Sequence, residues 1–304
     1  MSSVVAPTTL RDLEKGRDKH GNSFKSGASS SAVPPWFDRE KFERGRRFYS
    51  DHLVSVIFSN FLSLLVGFTV ESFQRVLLAT RETADPRKSM IRYSHTLHHL
   101  FLWHDTDILD PASQGYRSID FVTSWHDATR RKLEEHANRL LMSQYDFSLV
   151  QAGFVGPIVL YPSDVGIWCS EEELEDYVYF WRVAGYRLGI ADPNNVCAGG
   201  LSGARHICQQ ITDDIITPGL RQRTPQYEKL ARDLVQGVAP LDREVFYAYI
   251  FPSLGLERPS LSLRQWLMYG LLVLYFWLVA RWNWFKRLSN EHVARAIRKR
   301  MHRF

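Results

Sequence analysis

The spacing of apolar residues is the feature of this sequence that most restricts its fold. Almost no window alternates apolar and polar residues as a β-strand does, whereas apolar residues recur three and four positions apart along most of the 304 residues. This spacing gathers them on one face of a helix, which can then be buried. The sequence therefore predicts an all-α protein, and its length allows a sizeable hydrophobic core.

Charge and cysteine content exclude several classes of function. The net charge is +5, but the 286–304 segment alone holds seven Lys or Arg residues and one Glu. The rest of the chain is close to neutral, so we expect no nucleic-acid partner. The three cysteines (Cys169, Cys197 and Cys208) form no Cys-x-x-Cys pair. A disulfide framework, a zinc knuckle and a c-type haem attachment are thereby excluded, and Cys197 and Cys208 are expected to fill buried space.

Composition divides the chain into four segments. Residues 1–33 are rich in Ser, Gly and Lys and are predicted to be a disordered arm. Residues 34–260 are predicted to form one large helical domain, followed by an apolar helix over 261–285 and a basic tail over 286–304. Inside the domain, the uncharged stretch 53–70 contains small polar residues that favour a buried core helix over a membrane span.

The apolar C-terminal helix suggests contact with a membrane. Residues 265–280 are uncharged and rich in Trp and Tyr, as segments at a membrane interface are. An apolar helix followed by a basic patch gives the two signals that anchor a protein at a membrane surface. The N-terminus lacks the pattern of a secretory signal, so we expect a membrane-associated protein at the cytoplasmic face or the endoplasmic reticulum. The alternative is a terminal helix packed on the core.

One helix is predicted in detail by its end signals. Ser170 and Glu173 have the spacing of a capping box, and Gly189 stands where a glycine ends a helix. These signals predict a helix over 171–188 with a structural role.

Two further helices carry the histidines. In the 90–103 segment, the side chains of one helical stripe are suited to line a ligand pocket or to face water; they are Arg92, His95, Thr96, His99 and Trp103. In the next predicted helix, His126 shares a mostly apolar stripe with Val122, Thr129 and Leu133. An inward histidine is either a satisfied core residue or the single neutral imidazole that a haem iron requires.

A different metal site competes with this interpretation. His95, His98 and His99 spell His-x-x-His-His, one of the boxes of membrane desaturases and hydroxylases that hold two irons. Such a site needs several boxes, because each iron takes several nitrogen ligands, and the sequence contains no second one. A di-iron hydroxylase therefore remains an alternative.

These residues resemble the MpaB and latex-clearing oxygenase family. That family shows an Arg-x-x-Lys-Thr motif with the haem-binding His thirty residues after the Thr. Here Arg92, His95 and Thr96 occupy the motif, and His126 lies thirty residues after Thr96. The 180–197 segment, FWRVAGYRLGIADPNNVC, is similar to a downstream block of the family. His95 stands where the family has Lys, which implies different chemistry on the distal face of the haem.

The resemblance implies a globin-like helical core, a non-covalent haem b held by His126, and oxygenation or cleavage of an alkene in a long apolar substrate, a lipid or terpenoid. It implies O₂ binding on the haem face opposite His126, with Arg92, His95 and Thr96 near it and His99 beside the cofactor. The family's catalytic glutamate has no clear counterpart, Glu71 and Glu82 being only nearby in sequence. Without the distal Lys, a non-catalytic haem- or lipid-binding membrane protein is a third alternative.

Cationic side chains are needed for the haem propionates, because carboxylates bind best to charged donors. Arg117, Arg182 and Arg187 are the candidates, and each is equally suited to a solvated or helix-capping position.

Overall fold

The protein is helical throughout the part of the chain that can be described. The computed structural model describes residues 6–21, 33–80, 83, 85–137, 141–238 and 241–301. Within these residues the β pairing is confined to one isolated bridge between His20 and Ser143. The prediction of an all-α fold is confirmed.

The chain divides into two compact units, each assembled from separate segments. The first takes the described residues of 1–50, 98–160 and 169–211, with helices α1 (Leu10–Glu14), α2 (Arg39–Asp51), α6 (Gln114–Ala137), α7 (Gln144–Leu160), α8 (Glu171–Arg187) and α9 (Gly200–Ile211). The second takes those of 51–97, 161–168 and 212–304, with α3 (Leu53–Gly67), α4 (Glu71–Thr80), α10 (Thr217–Gln222), α11 (Pro225–Val238), α12 (Arg243–Ile250), α13 (Leu263–Arg281) and α14 (Asn283–Met301). Helix α5 (Pro86–Asp105) begins in the second unit and ends in the first.

Helix α8 has the ends that its sequence predicts. The Ser170 hydroxyl accepts a hydrogen bond from the Glu173 backbone N–H at 3.2 Å, and the Glu173 carboxylate accepts one from the Ser170 N–H at 2.8 Å. At the other end, Gly189 has a φ of 87°, and the Ile190 N–H bonds to the Gly185 carbonyl at 2.9 Å. These bonds satisfy backbone groups that a helix end leaves open.

Replacing Ser170 by Ala is expected to lower the free energy of unfolding by about 1 kcal/mol, because the N–H of Glu173 loses its acceptor. Urea unfolding followed by circular dichroism measures the change. Ser124→Ala, at an exposed position inside α6, is the matched control and is expected to change stability by less than about 0.5 kcal/mol. Equal losses in the two variants would contradict the cap.

Close packing of α2 on α8 organises the first unit. A Cβ at Gly45 would clash with the carbonyl oxygen of Asp176, so the two helices meet where a side chain has no room. Beside this contact, Arg44 Nη2 donates to Asp176 Oδ1 at 2.9 Å, and the rings of Phe42 and Phe180 stack with centroids 5.5 Å apart. The core of this unit therefore lies along the inner face of α8.

Part of the predicted disordered arm is ordered. Residues 6–21 contain α1, which begins with a capping box formed by Thr9 and Asp12. Leu13 is fully buried, and its carbonyl accepts a hydrogen bond from Asn194 Nδ2 at 3.0 Å. The expectation of disorder is therefore wrong for residues 6–21. The rest of the predicted arm before residue 33 lies outside the described residues.

The two long apolar stretches behave differently. Helix α3 buries about half of its residues, including Ser55, Ser59 and Asn60, as predicted for a core helix, and it ends at Gly67. Among the described residues, α13 is the one helix that is by itself long and apolar enough to cross a membrane, and only 11% of its most apolar window is buried. The basic tail, for which the sequence predicted no conformation, is largely helical as α14.

Candidate functional site

His126, the predicted metal ligand, lies in α6 and is half-buried. The centroid of its ring lies 5.3 Å from that of Phe147 on α7 and 5.7 Å from that of Trp125. Its Nδ1 atom is buried, so a metal could reach this imidazole only through Nε2. An imidazole that offers one ring nitrogen is the kind of protein ligand that haem iron takes.

His99 contacts the side of α6 that carries His126. Its Nδ1 lies 2.8 Å from the Ser118 hydroxyl, which also accepts a hydrogen bond from Trp103 Nε1 at 3.0 Å. Ser118, Val122 and His126 are four residues apart and share one side of α6, with Ser118 about 12 Å from His126 along the axis. His99 and His126 are thus brought to the same helix face.

The residues of the Arg-x-x-His-Thr motif lie on α5. Arg92 and Thr96 are half-buried and His95 is exposed. The Thr96 hydroxyl donates to the carbonyl of Arg92, one turn earlier in the same helix, at 3.3 Å. Tyr93, on another side of the same helix, is buried near Phe68, with ring centroids 6.2 Å apart. The motif thus presents two half-buried polar residues and one exposed imidazole.

The two glutamates considered for the catalytic base have little in common. Glu71 is exposed in the first turn of α4 and forms an ion pair with Arg75 of the next turn. Glu82 lies outside the described residues. The structure therefore gives no support for either glutamate as the catalytic base.

The arginines predicted for haem propionates occupy three environments. Arg117 is exposed and precedes His126 by nine residues, which places it on the opposite side of α6. Arg187 is buried, donates from Nη2 to Asp120 Oδ1 at 2.9 Å, and lies with its guanidinium carbon 4.3 Å from the centroid of the Tyr116 ring. Arg187 therefore has a structural role in linking α8 to α6.

Arg182 lines a cavity of about 280 Å³ within the first unit. Its guanidinium carbon lies 3.8 Å from the centroid of the Trp36 ring. Neither His126 nor His99 lines this cavity. The structure therefore places Arg182 at a cavity that the two histidines do not reach. The lining residues are Trp36, Asp38, Lys41, Glu175, Tyr179, Arg182, Cys197 and Gly200.

Sequence reasoning missed the most deeply buried histidine of the described chain. His104 is 2% exposed, stacks on Tyr49 with ring centroids 3.8 Å apart, and contacts the tilted ring of Phe180 with centroids 4.0 Å apart. Burial lowers the pKa of His104 to about 3. Burial also raises the pKa of the thiols of Cys197 and Cys208, as expected of cysteines that fill buried space. No local signal distinguishes His104, because its burial depends on residues distant in sequence.

The donor set fits a porphyrin iron better than a non-haem site. Across the described ranges, no group of three or more His, Cys, Asp or Glu side chains converges as metal ligands would. A non-haem iron needs several protein ligands, and the di-iron alternative needs more still. Haem iron takes four ligands from the macrocycle and requires one from the protein. A half-buried imidazole such as that of His126 satisfies this requirement.

The fold is similar to that of one solved structure. The structure of latex clearing protein LCP in the closed state is similar to this chain with a TM-score of 0.55 and 18% sequence identity, over 87% of this chain and 76% of the other. At this identity the likeness concerns the fold. No family model and no curated protein matches the sequence.

Proposed function

We propose that this protein is a haem-b-dependent oxygenase that acts on a long apolar alkene, with His126 as the proximal ligand. The observation that carries the proposal is the position of His126. It is a half-buried imidazole in α6, thirty residues after Thr96, in a chain with the fold of latex clearing protein. The spacing and the fold are independent of each other, because the spacing is known from the sequence alone.

The residues of the chain have separate roles in this proposal. The haem, when bound, supplies the redox chemistry by which dioxygen is activated. His126 would hold the cofactor through Nε2, and the rings of Trp125 and Phe147 would fix the orientation of the imidazole and exclude water from it. His99 borders the same side of α6, held there by Ser118.

The Arg-x-x-His-Thr motif is proposed to serve the oxygen substrate. Arg92 and Thr96 are half-buried donors, and donors that are fixed before the reaction stabilise developing negative charge. Thr96 must turn its hydroxyl away from the Arg92 carbonyl to take part. His95 stands at the position of the family's Lys, and its side chain is exposed.

A spectrum and an oxygen-uptake assay test the proposal. The full chain, expressed with a haem supply, is expected to show a Soret band. With dithionite-reduced protein exchanged into aerated buffer, squalene is expected to increase O₂ consumption and to yield carbonyl products detectable by mass spectrometry. Squalane, the saturated analogue, is the matched control and is expected to do neither. Absence of porphyrin from the purified protein would refute the proposal.

One observation favours a second candidate, a haem- or lipid-binding protein without turnover. An exposed histidine, His95, stands in the motif where the family has Lys. A Soret band without squalene-dependent O₂ uptake would support this candidate. Two irons per chain without porphyrin would instead support the di-iron alternative.

A further inference from the structure

Helix α13 presents a continuous apolar face to solvent. Leu267 is 66% exposed and Trp277 is 53% exposed, and only Phe276 and Val279 of this helix are buried. The exposed apolar residues recur at helical spacing along one side; they are Leu263, Trp266, Leu267, Leu271, Val273, Leu274 and Trp277. Single exposed leucines are ordinary, but a contiguous apolar surface of this kind marks a site of contact.

The opposite face of α13 is held against the second unit. The ring of Phe276 stacks on that of Phe58 in α3, with centroids 4.2 Å apart. A Cβ at Gly166 would lie 3.1 Å from the carbonyl oxygen of Phe276, so the backbone of α13 lies close to the backbone at Gly166. The ring of Tyr269 lies 6.4 Å from that of Tyr249 in α12. These contacts fix α13 as part of the folded unit.

Charged groups beside the inner face argue against a membrane span. Near its N-terminal end, Gln265 Nε2 donates to the carboxylate of Asp242 at 3.4 Å. One turn further, the guanidinium carbon of Arg258 lies 5.3 Å from the centroid of the Tyr269 ring. A helix that crossed a bilayer in this setting would carry both charges toward the hydrocarbon, where charged groups are costly. Lipid can therefore reach only the outer face.

Helix α14 adds positive charge next to this face. It is anchored by Asn290, whose side chain accepts from the Val54 N–H at 3.1 Å and donates to the Asp51 carbonyl at 2.9 Å. Its exposed basic residues are Arg287, Arg295, Arg298 and Lys299. A second copy of the chain would bring two such basic helices together, whereas anionic lipid headgroups complement them.

We infer that α13 is a monotopic membrane anchor. Its outer apolar face enters one leaflet of an anionic bilayer, its inner face stays on the second unit, and α14 contacts the headgroups. Interfacial helices insert their apolar face by about 5–10 Å and combine it with electrostatic attraction. The anchor does not depend on the proposed haem chemistry, so the two are tested separately.

Flotation with vesicles tests the docking. The full chain is expected to float with vesicles of phosphatidylcholine and phosphatidylserine, and less with phosphatidylcholine alone or at high salt. The double variant Leu267→Glu, Leu271→Glu is expected to bind at least ~10-fold less, because charge at the outer face opposes insertion. The control is Leu78→Glu, Val238→Glu, two exposed apolar positions in α4 and α11 of the same unit, which is expected to bind like the wild type.

Labelling of the helix ends distinguishes monotopic insertion from a span. Cysteines are introduced as Ser262→Cys and Arg281→Cys, separately, in a Cys169→Ser background. After vesicle binding, a membrane-impermeant maleimide added outside is expected to label both ends. Protection of one end only would show a span and overturn the inference. So would failure of the wild type to bind phosphatidylserine vesicles, including a case in which the outer face instead holds a dimer in solution.

Discussion

The His126→Ala protein, expressed with the same haem supply as the wild type, is expected to lose its Soret band. The substitution removes the imidazole that we propose as the iron ligand and keeps the neighbouring rings of Trp125 and Phe147. Changes beyond the direct ligands commonly lower metal affinity 10–100-fold, so loss of the ligand itself is expected to lower haem affinity by at least about 100-fold. Titration of the apoprotein with haem, followed by absorbance, measures this change.

Two controls separate loss of a ligand from loss of the fold. His206→Ala removes an exposed imidazole of α9 that lies beside Gln210, and its spectrum is expected to match the wild type. Free imidazole added to His126→Ala is expected to restore the Soret band, because the substitution leaves room for it at the same place. An unchanged spectrum in His126→Ala would remove the ligand assignment and leave the fold intact.

Local signals predicted those parts of the fold that local bonds determine. The ends of α8 follow from three residues. The side chains of Ser170 and Glu173 accept hydrogen bonds from backbone N–H groups at the start of the helix, and Gly189 adopts a positive φ just after its end. The presence of α5 and α6 follows from apolar spacing, and so does the placement of His99 and His126 on neighbouring helices. Each of these features can be predicted from residues that lie within about one helix length of each other in the sequence.

Features that depend on distant residues could not be predicted. Leu13 orders a segment whose composition suggests disorder, because Asn194, far away in sequence, bonds to its carbonyl. In the sequence, Arg187 is a candidate for binding an anionic ligand, whereas in the structure it forms an ion pair with Asp120. Arg182 lies in a cavity apart from the histidines, which no spacing in the sequence indicates. The contacts of a side chain depend on the tertiary structure, whereas the formation of a helix depends largely on the local sequence.

His104 gives the protein an expected sensitivity to acid. Its Nδ1 lies 2.8 Å from the Leu100 carbonyl, to which it must donate, and its buried Nε2 has no hydrogen-bond partner within the described structure. Burial is the main cause of the low pKa of His104. The charge of Arg46 also lowers it, and the bond to Leu100 opposes the shift. The folded state therefore holds this imidazole neutral.

The pH dependence of stability follows from the difference between the two states. The pKa of His104 is about 3 in the folded protein and about 6.5 in an unfolded chain, so the unfolded state binds more protons between these values. The contribution is complete above about pH 6.5 and is lost as the pH falls, by about 1.4 kcal/mol per pH unit.

Urea unfolding at pH 7 and pH 5 measures this loss, and His104→Phe isolates it. Phenylalanine keeps a ring between Tyr49 and Phe180 but has no nitrogen to protonate. The wild type is expected to lose about 2 kcal/mol more than the variant between these pH values, because the other titrating groups are common to both. Equal losses in the two proteins would mean that His104 is protonated in the folded state as readily as in the unfolded one.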